Sequence, residues 1–135
     1  MGKNKNRNSL LKGKADLSNP CDEDSLVVFN FKDLDLSQGQ KLRDWHEADL
    51  LVTMLEKFQH FSDKKVGSCF NDKFKTYPHF PPKTEFKFPT TVKNPDAQWW
   101  SMHLGNLPCV VGHRVRNVFY VVFLDKLHDF WQMKK

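Results

Sequence analysis

The sequence predicts a single α+β domain in which an N-terminal strand and one or two helices pack on a small, mainly antiparallel β-sheet. The chain has 135 residues, a length that fits one compact domain. Apolar residues recur at helical spacing in the first half, whereas the last third consists of β-branched and aromatic runs. Residues 1–24 are polar and predict a flexible arm, which leaves residues 25–135 for the domain.

The first element of the predicted domain is a strand over residues 26–31, whose β-branched and aromatic residues follow a polar stretch. Residues 33–39 interrupt it. A helix is predicted next, with Ser37 as its N-terminal cap, because apolar residues follow at three- and four-residue spacing. They are Leu42, Trp45, Ala48, Leu51, Val52, Leu55 and Phe58. A further helical turn is expected after Ser62, ending before Gly67.

Residues 71–96 predict a long irregular loop. Prolines recur there, and each removes a backbone donor and restricts the chain to extended or turn conformations. They are Pro78, Pro81, Pro82, Pro89 and Pro95. One short edge strand is expected around residues 85–88, and a loop of this length in a compact domain is often functional.

The last third predicts strands over residues 99–104, 109–115 and 118–124. The last run is apolar without interruption, which predicts a strand covered on both faces and therefore inside the sheet. A two-residue hairpin turn at Arg116 and Asn117 would place Val115 opposite Val118.

The charge of the chain favours an anionic partner. Lys and Arg total 21 against 16 Asp and Glu, giving a net charge of +5. Lysines alternate with aromatic rings in one region, as is typical of surfaces that neutralise a nucleic-acid backbone and stack on bases. The lysines are Lys73, Lys75, Lys83 and Lys87, the rings are Phe74, Tyr77, Phe80, Phe86 and Phe88, and we add Arg116 and Trp131 as candidate RNA-binding residues. The alternative is that the rings pack inward and the lysines only solvate a loop.

Several classes of protein are disfavoured by the pattern. No apolar run has the roughly 18 to 20 residues of a membrane-spanning helix, and no signal-peptide pattern opens the chain, so we expect a cytoplasmic protein without a membrane partner. Cys21, Cys69 and Cys109 form no close pair, which predicts reduced thiols. Neither a glycine-rich phosphate loop nor a nucleophile-elbow pattern is present.

The histidines of the C-terminal strand region are the best candidates for chemistry. His103, His113 and His128 could converge on one face of the sheet, with Arg114 beside the middle one. Imidazoles exchange protons near neutral pH, and a guanidinium stabilises a charged phosphate, which is what RNA cleavage through the 2′-hydroxyl requires. Two alternatives stay open: the histidines are structural, or Cys109 and His113 bind zinc together with His103 or His128.

The last third of the chain resembles the C-terminal half of RelE/YoeB-like bacterial toxins. The resemblance lies in the strands at residues 100–104 and 113–115, in His128, and in the ring pair Phe130 and Trp131. Small bacterial and phage proteins with a final Leu-Asp-x-x-His, here residues 124–128, are similar as well. The resemblance implies a RelE-like fold, messenger RNA cleavage on the ribosome without a metal, and an antitoxin partner. By position it makes His103 and Arg114 phosphate-binding residues and His128 the terminal histidine of the family. This chain has Met102 and His103 where the family has two arginines, and it has no tyrosine after His128.

The sequence therefore predicts an RNA-binding protein and metal-independent endoribonuclease with no cofactor. Its predicted catalytic residues are His103, His113, Arg114 and His128. The departures from the family keep a second hypothesis open, a non-catalytic bacterial or phage interaction protein on the same scaffold. Nucleic-acid binding without cleavage is a third.

Overall fold

The computed structural model describes residues 24–72 and 74–131. The predicted N-terminal arm, apart from Asp24, lies outside the described residues, as does Lys73. In the described part, the chain forms a five-stranded mixed sheet with the strand order β1-β5-β4-β3-β2. The strands are β1 (Val28–Asn30), β2 (Lys75–Tyr77), β3 (Gln98–His103), β4 (Cys109–Val115) and β5 (Val118–Asp125). β1 runs parallel to β5 and the other pairs are antiparallel, which confirms a mainly antiparallel α+β fold.

The hairpin between β4 and β5 has the predicted register. Val115 pairs with Val118, and Arg116 adopts the positive φ of 57° that a two-residue turn requires. β5 lies between β1 and β4, and its residues from Val121 to Asp125 are buried, which confirms its predicted interior position.

The helical region differs from the single helix predicted over residues 42–58. The structure has α1 (Leu42–Glu47) and α2 (Leu50–Ser62), because Asp49 takes the left-handed conformation with φ 60° and interrupts the helix. Ser37 is not the cap. Its hydroxyl instead donates to the Asp35 carboxylate, and the Asp44 carboxylate accepts the N–H of Lys41 at the start of α1.

Two further expectations for irregular segments are wrong. The turn expected to end before Gly67 is a helix, α3 (Val66–Asp72), which includes that glycine. Residues 85–88 form no strand, because side chains take their backbone groups: the N–H of Lys87 donates to Gln38 Oε1 at 2.6 Å. The short strand at this side of the sheet is β2 instead.

The sheet separates two hydrophobic clusters. The three helices cover one side, the helix face, where the largest buried side chains include Trp45, Met54, Phe70 and Phe119. Residues 78–97, which we call the covering loop, and residues 126–131, the C-terminal segment, cover part of the other side of the sheet. We call this side the loop face, and Phe86, Trp99, Phe123 and Phe130 lie at its centre. Phe74, Tyr77 and Phe86 are buried, so most of the rings that alternate with lysines do pack inward. No helix in the described ranges is both long and apolar enough to span a bilayer.

Candidate functional site

One row of side chains crosses the loop face at the C-terminal end of β5. Residues directly opposite one another on neighbouring strands point to the same face. The register pairs Asp125 with Cys109 and Cys109 with His103. Asp125 and Cys109 are buried, whereas His103, at the end of β3, is exposed. The row therefore leads from the buried centre of the sheet to an exposed imidazole.

His128 lies against His103. Their ring centroids are 5.1 Å apart and the ring planes differ by 29°, so the imidazoles are stacked; we call them the histidine pair. His128 follows β5 in a turn and has a φ of 61°. Its Nδ1 is 3.1 Å from the carbonyl oxygen of Trp131. Because a carbonyl only accepts, Nδ1 carries the hydrogen, and Nε2 is left for a substrate.

Lys75 adds a positive charge beside the histidine pair. It is exposed on β2 and pairs with Ser101, which makes it the diagonal neighbour of His103 on the loop face. Partial burial, together with the charges of His128 and Lys75, lowers the pKa of His103 below its ordinary value. His103 is therefore predominantly neutral at pH 7 and able to accept a proton.

An aromatic shelf adjoins the histidine pair through the C-terminal segment. The half-buried Trp131 stacks on Tyr77 with ring centroids 4.9 Å apart, and His79 lies 6.1 Å from Trp131. The Tyr77 hydroxyl is hydrogen-bonded to Ser101 at 2.8 Å, which fixes the ring beneath Trp131. Trp131 therefore lies on a supporting ring next to the histidine pair, as a stacking surface requires.

His113 is separate from the histidine pair. It is buried on the loop face opposite Trp99, and His103 is four residues farther along β3, a separation of about 13 Å. Its Nε2 donates to Asp33 Oδ2 at 2.7 Å, and its ring stacks on Tyr120 at 4.8 Å.

The carboxylate of Asp33 is bound on both oxygens. Lys32 Nζ donates to Oδ1 at 2.9 Å, and His113 donates to Oδ2. Burial acts to raise the pKa of Asp33, but the hydrogen bonds from Lys32 and His113 outweigh it and hold that pKa below its ordinary value. This contact ties the segment after β1 to the centre of the sheet.

Arg114 lies on the opposite side of the sheet from all three histidines. Its guanidinium carbon is 4.3 Å from the ring centroid of Phe70 and 5.3 Å from that of Trp100, both on the helix face. Consecutive residues of a strand point to opposite faces, so His113 and Arg114 do not share one. The expected convergence of four side chains is therefore wrong, because two of them, His103 and His128, meet while the other two lie elsewhere.

The predicted RNA-binding residues are spread over the surface. Lys75 and Trp131 adjoin the histidine pair, whereas Lys83 and Lys87 are exposed on the covering loop. Arg116 is in the turn after β4, about 20 Å along that strand from Cys109, and Lys73 is outside the described residues.

The zinc alternative is not supported by the geometry. Cys109 and His113 are four residues apart on β4, about 13 Å and too far for one ion. Within ranges 24–72 and 74–131, no three His, Cys, Asp or Glu side chains are grouped as metal ligands. Burial and the nearby Asp125 raise the pKa of the Cys109 thiol, which disfavours the thiolate that zinc binds.

Sequence reasoning missed the side chains that hold the site together. Asp125 is fully buried and bonds to the turn that carries His128, although it was noted only as part of the Leu-Asp-x-x-His pattern. Tyr77 is one of the rings that alternate with lysines, and the sequence does not indicate that it supports Trp131 from below. A charged residue that directly ends an uninterrupted apolar strand was the available signal for Asp125.

Protein-family models, curated protein sequences and solved structures contain no significant match to this chain. The likeness to RelE/YoeB-like toxins therefore depends on the motif residues quoted above and stays a prediction.

Proposed function

We propose that this protein binds RNA and cleaves it by metal-independent acid–base chemistry at the histidine pair. The observation that carries the proposal is the stacking of His103 and His128 at 5.1 Å beside the Lys75 ammonium. One neutral imidazole, one protonated imidazole and a fixed cation are the groups that transfer of a phosphodiester to its own 2′-hydroxyl requires.

The lowered pKa of His103 favours it as the general base. It takes the proton of the 2′-hydroxyl as that oxygen forms a bond to phosphorus. His128, protonated at Nε2 and oriented by the Trp131 carbonyl, gives a proton to the 5′-oxygen as the P–O5′ bond breaks. Lys75 stabilises the negative charge on the phosphoryl oxygens. The products are a 2′,3′-cyclic phosphate and a 5′-hydroxyl, so protons and bonds balance without a further reactant.

The surroundings of the pair support a single-stranded substrate. Trp131, stacked on Tyr77, offers a ring to an unstacked base next to the phosphate. Lys83 and Lys87, exposed on the covering loop, add positive charge farther along the same side. Such an arrangement contacts the RNA backbone and the faces of the bases, and it therefore gives little selectivity for a particular nucleotide sequence.

The test is cleavage of messenger RNA, with and without ribosomes, by the unchanged protein and by His103→Ala and His128→Ala. We expect each substitution to lower the rate by about a hundredfold or more, because each removes one proton-transfer group. His60→Ala, an exposed histidine on α2, is the matched control and should cleave at the unchanged rate. An unchanged protein that leaves RNA intact in both settings overturns the proposal, as does equal cleavage by His128→Ala.

A second candidate, a non-catalytic protein-binding module, is favoured by a part of the loop face that no residue in 24–72 or 74–131 covers. Val28, Val118 and Val115 lie opposite one another across three strands, and the first and last are 45% and 39% exposed. An exposed apolar row of this kind fits a protein partner with an apolar surface. If expression in a bacterium arrests growth, arrest lost in Val28→Lys and kept in His128→Ala favours this function; the reverse favours the nuclease.

A further inference from the structure

Asp125 is the most deeply buried charged group of the described residues, and its carboxylate bonds to a turn. It is 0% exposed at the end of β5. Oδ1 accepts the N–H of Asp129 at 2.8 Å, and Oδ2 accepts the N–H of Phe130 at 2.9 Å. The Cys109 thiol donates to Oδ2 at 3.6 Å.

These bonds close the turn that contains His128. Three residues, from Lys126 to His128, lie between the carboxylate and the first N–H that it accepts. The turn requires His128 to adopt a φ of 61°, a conformation that a non-glycine residue keeps only when its surroundings hold it. Phe130, 1% exposed in the ring cluster of the loop face, fixes the far end of the same segment.

We propose that Asp125 is the positioning residue of the histidine pair: its carboxylate holds the turn that sets the His128 ring against His103. The inference deepens the proposed function and rests on it for the catalytic consequence. Asp125 itself does not touch the substrate, because it lies behind Cys109 and the turn, away from the exposed imidazole of His103.

The carboxylate form is needed for this role. A carboxylate accepts two N–H groups at once, whereas an asparagine in its place accepts one and presents its own NH₂ to the other. Burial, with the nearby charge of Asp129 as a smaller cause, raises the pKa of Asp125, while the two backbone N–H groups act to lower it. The two backbone N–H groups of the turn therefore stabilise the buried charge.

The experiment compares Asp125→Asn with Asp129→Asn, which removes a charge from the same turn but no acceptor of the two N–H groups. The readout is the pKa of His103, followed by NMR titration of the imidazole signals. In Asp125→Asn we expect it to rise toward the ordinary value of about 6.5, because the His128 ring no longer buries His103 or adds its influence beside it. Loss of a carboxylate charge alone would shift the pKa of His103 the other way, so the direction separates the two causes.

In RNA cleavage, Asp125→Asn should lower kcat by about 10- to 100-fold with little change in KM, since the acid is displaced while the phosphate site remains. A folded Asp125→Asn protein with an unchanged His103 titration overturns the inference, whether or not the protein cleaves RNA. Absence of cleavage by the unchanged protein, with the titration shift as expected, instead removes only the proposed function.

A measurement on the unchanged protein keeps the inference falsifiable if Asp125→Asn does not fold. The N–H of Asp129 lies outside helices and strands, yet we expect it to exchange with solvent at least tenfold more slowly than the N–H of the neighbouring Leu127. Equal exchange rates at Asp129 and Leu127 would show that the carboxylate does not hold the turn.

Discussion

The hydrogen bond between His113 and Asp33 is a structural contact at the centre of the sheet. His113 was a predicted catalytic residue, but its ring is buried against Tyr120 and its Nε2 is bound by the Asp33 carboxylate. The segment after β1 returns over the loop face and brings Asp33 against His113. No local pattern in the sequence indicates this contact. The alternation of faces along a strand, in contrast, was available in the sequence and separates His113 from Arg114.

Asp33→Asn should destabilise the protein by about 2 kcal/mol at pH 7, because it removes a buried carboxylate that accepts hydrogen bonds from Lys32 and His113. The pKa of Asp33 is lowered in the folded protein, so its contribution is present above the unfolded pKa, near 4, and is lost as the pH falls through the folded value. Urea unfolding at pH 7 and at pH 3 measures both effects.

The difference between the unchanged protein and Asp33→Asn should shrink at the lower pH. Asp63→Asn is the control, because Asp63 is exposed and its contact with Lys64 contributes little. A difference that is the same at both pH values would mean that the Asp33 charge is not what stabilises the sheet.

Among the helices and strands, the sequence predicted those features that depend on residues close together in the chain. The β4–β5 hairpin followed from its turn residues and the apolar strand from its composition. The break between α1 and α2 was missed because Asp49 fits a helical pattern and only its left-handed conformation reveals the interruption. The parallel pairing of β1 with β5 joins segments far apart in the chain, and nothing local to either strand indicates it.

The β-bulge in β5, where Val122 is the extra residue opposite Val111 and Gly112, predicts a strict requirement for glycine at position 112. The register between β4 and β5 shifts between Val111 and Gly112, and a Cβ at Gly112 would overlap the backbone oxygen of Tyr120 and lie 2.9 Å from the ring of Phe119. Gly112→Ala should therefore destabilise the protein by about 2 kcal/mol or more, since the obstacle is backbone.

Thermal unfolding of Gly112→Ala and of Gly105→Ala provides the comparison. A Cβ at Gly105 would meet nothing within 4 Å, so Gly105→Ala should have the same unfolding midpoint as the unchanged protein. Equal midpoints for the two variants would contradict the close approach of β4 and β5.

For the whole molecule, the net charge of +5 is the feature that the sequence and the proposed function share. The charge favours an anionic partner, but it does not indicate where on the surface that partner binds. The structure puts Lys75 beside the histidine pair, Lys83 and Lys87 on the covering loop, and Arg116 at the opposite end of β4. The histidine pair forms because the turn after β5 folds back over β3. The sequence indicates His103 and His128 as candidate residues, but it does not indicate that their rings are in contact.

Salt dependence measures which cations contact the RNA backbone. Lys75→Ala should weaken RNA binding and reduce the slope of log K against log salt concentration by about 0.7, the value for one phosphate contact on a single strand. Lys57→Ala, on α2 at the other side of the sheet, should leave the slope unchanged. Equal slopes for Lys75→Ala and the unchanged protein would place the phosphate contacts elsewhere.

Acid–base cleavage at the histidine pair is tested most directly by identifying the ends of the cleaved RNA and following their formation between about pH 5 and pH 8. We expect 2′,3′-cyclic phosphate and 5′-hydroxyl ends from RNA, none from a 2′-deoxy strand of the same sequence, and a rate that falls at low pH as His103 becomes protonated. Cleavage of the 2′-deoxy strand, or cyclic phosphate formed equally fast by a protein without the His103 imidazole, would contradict this mechanism.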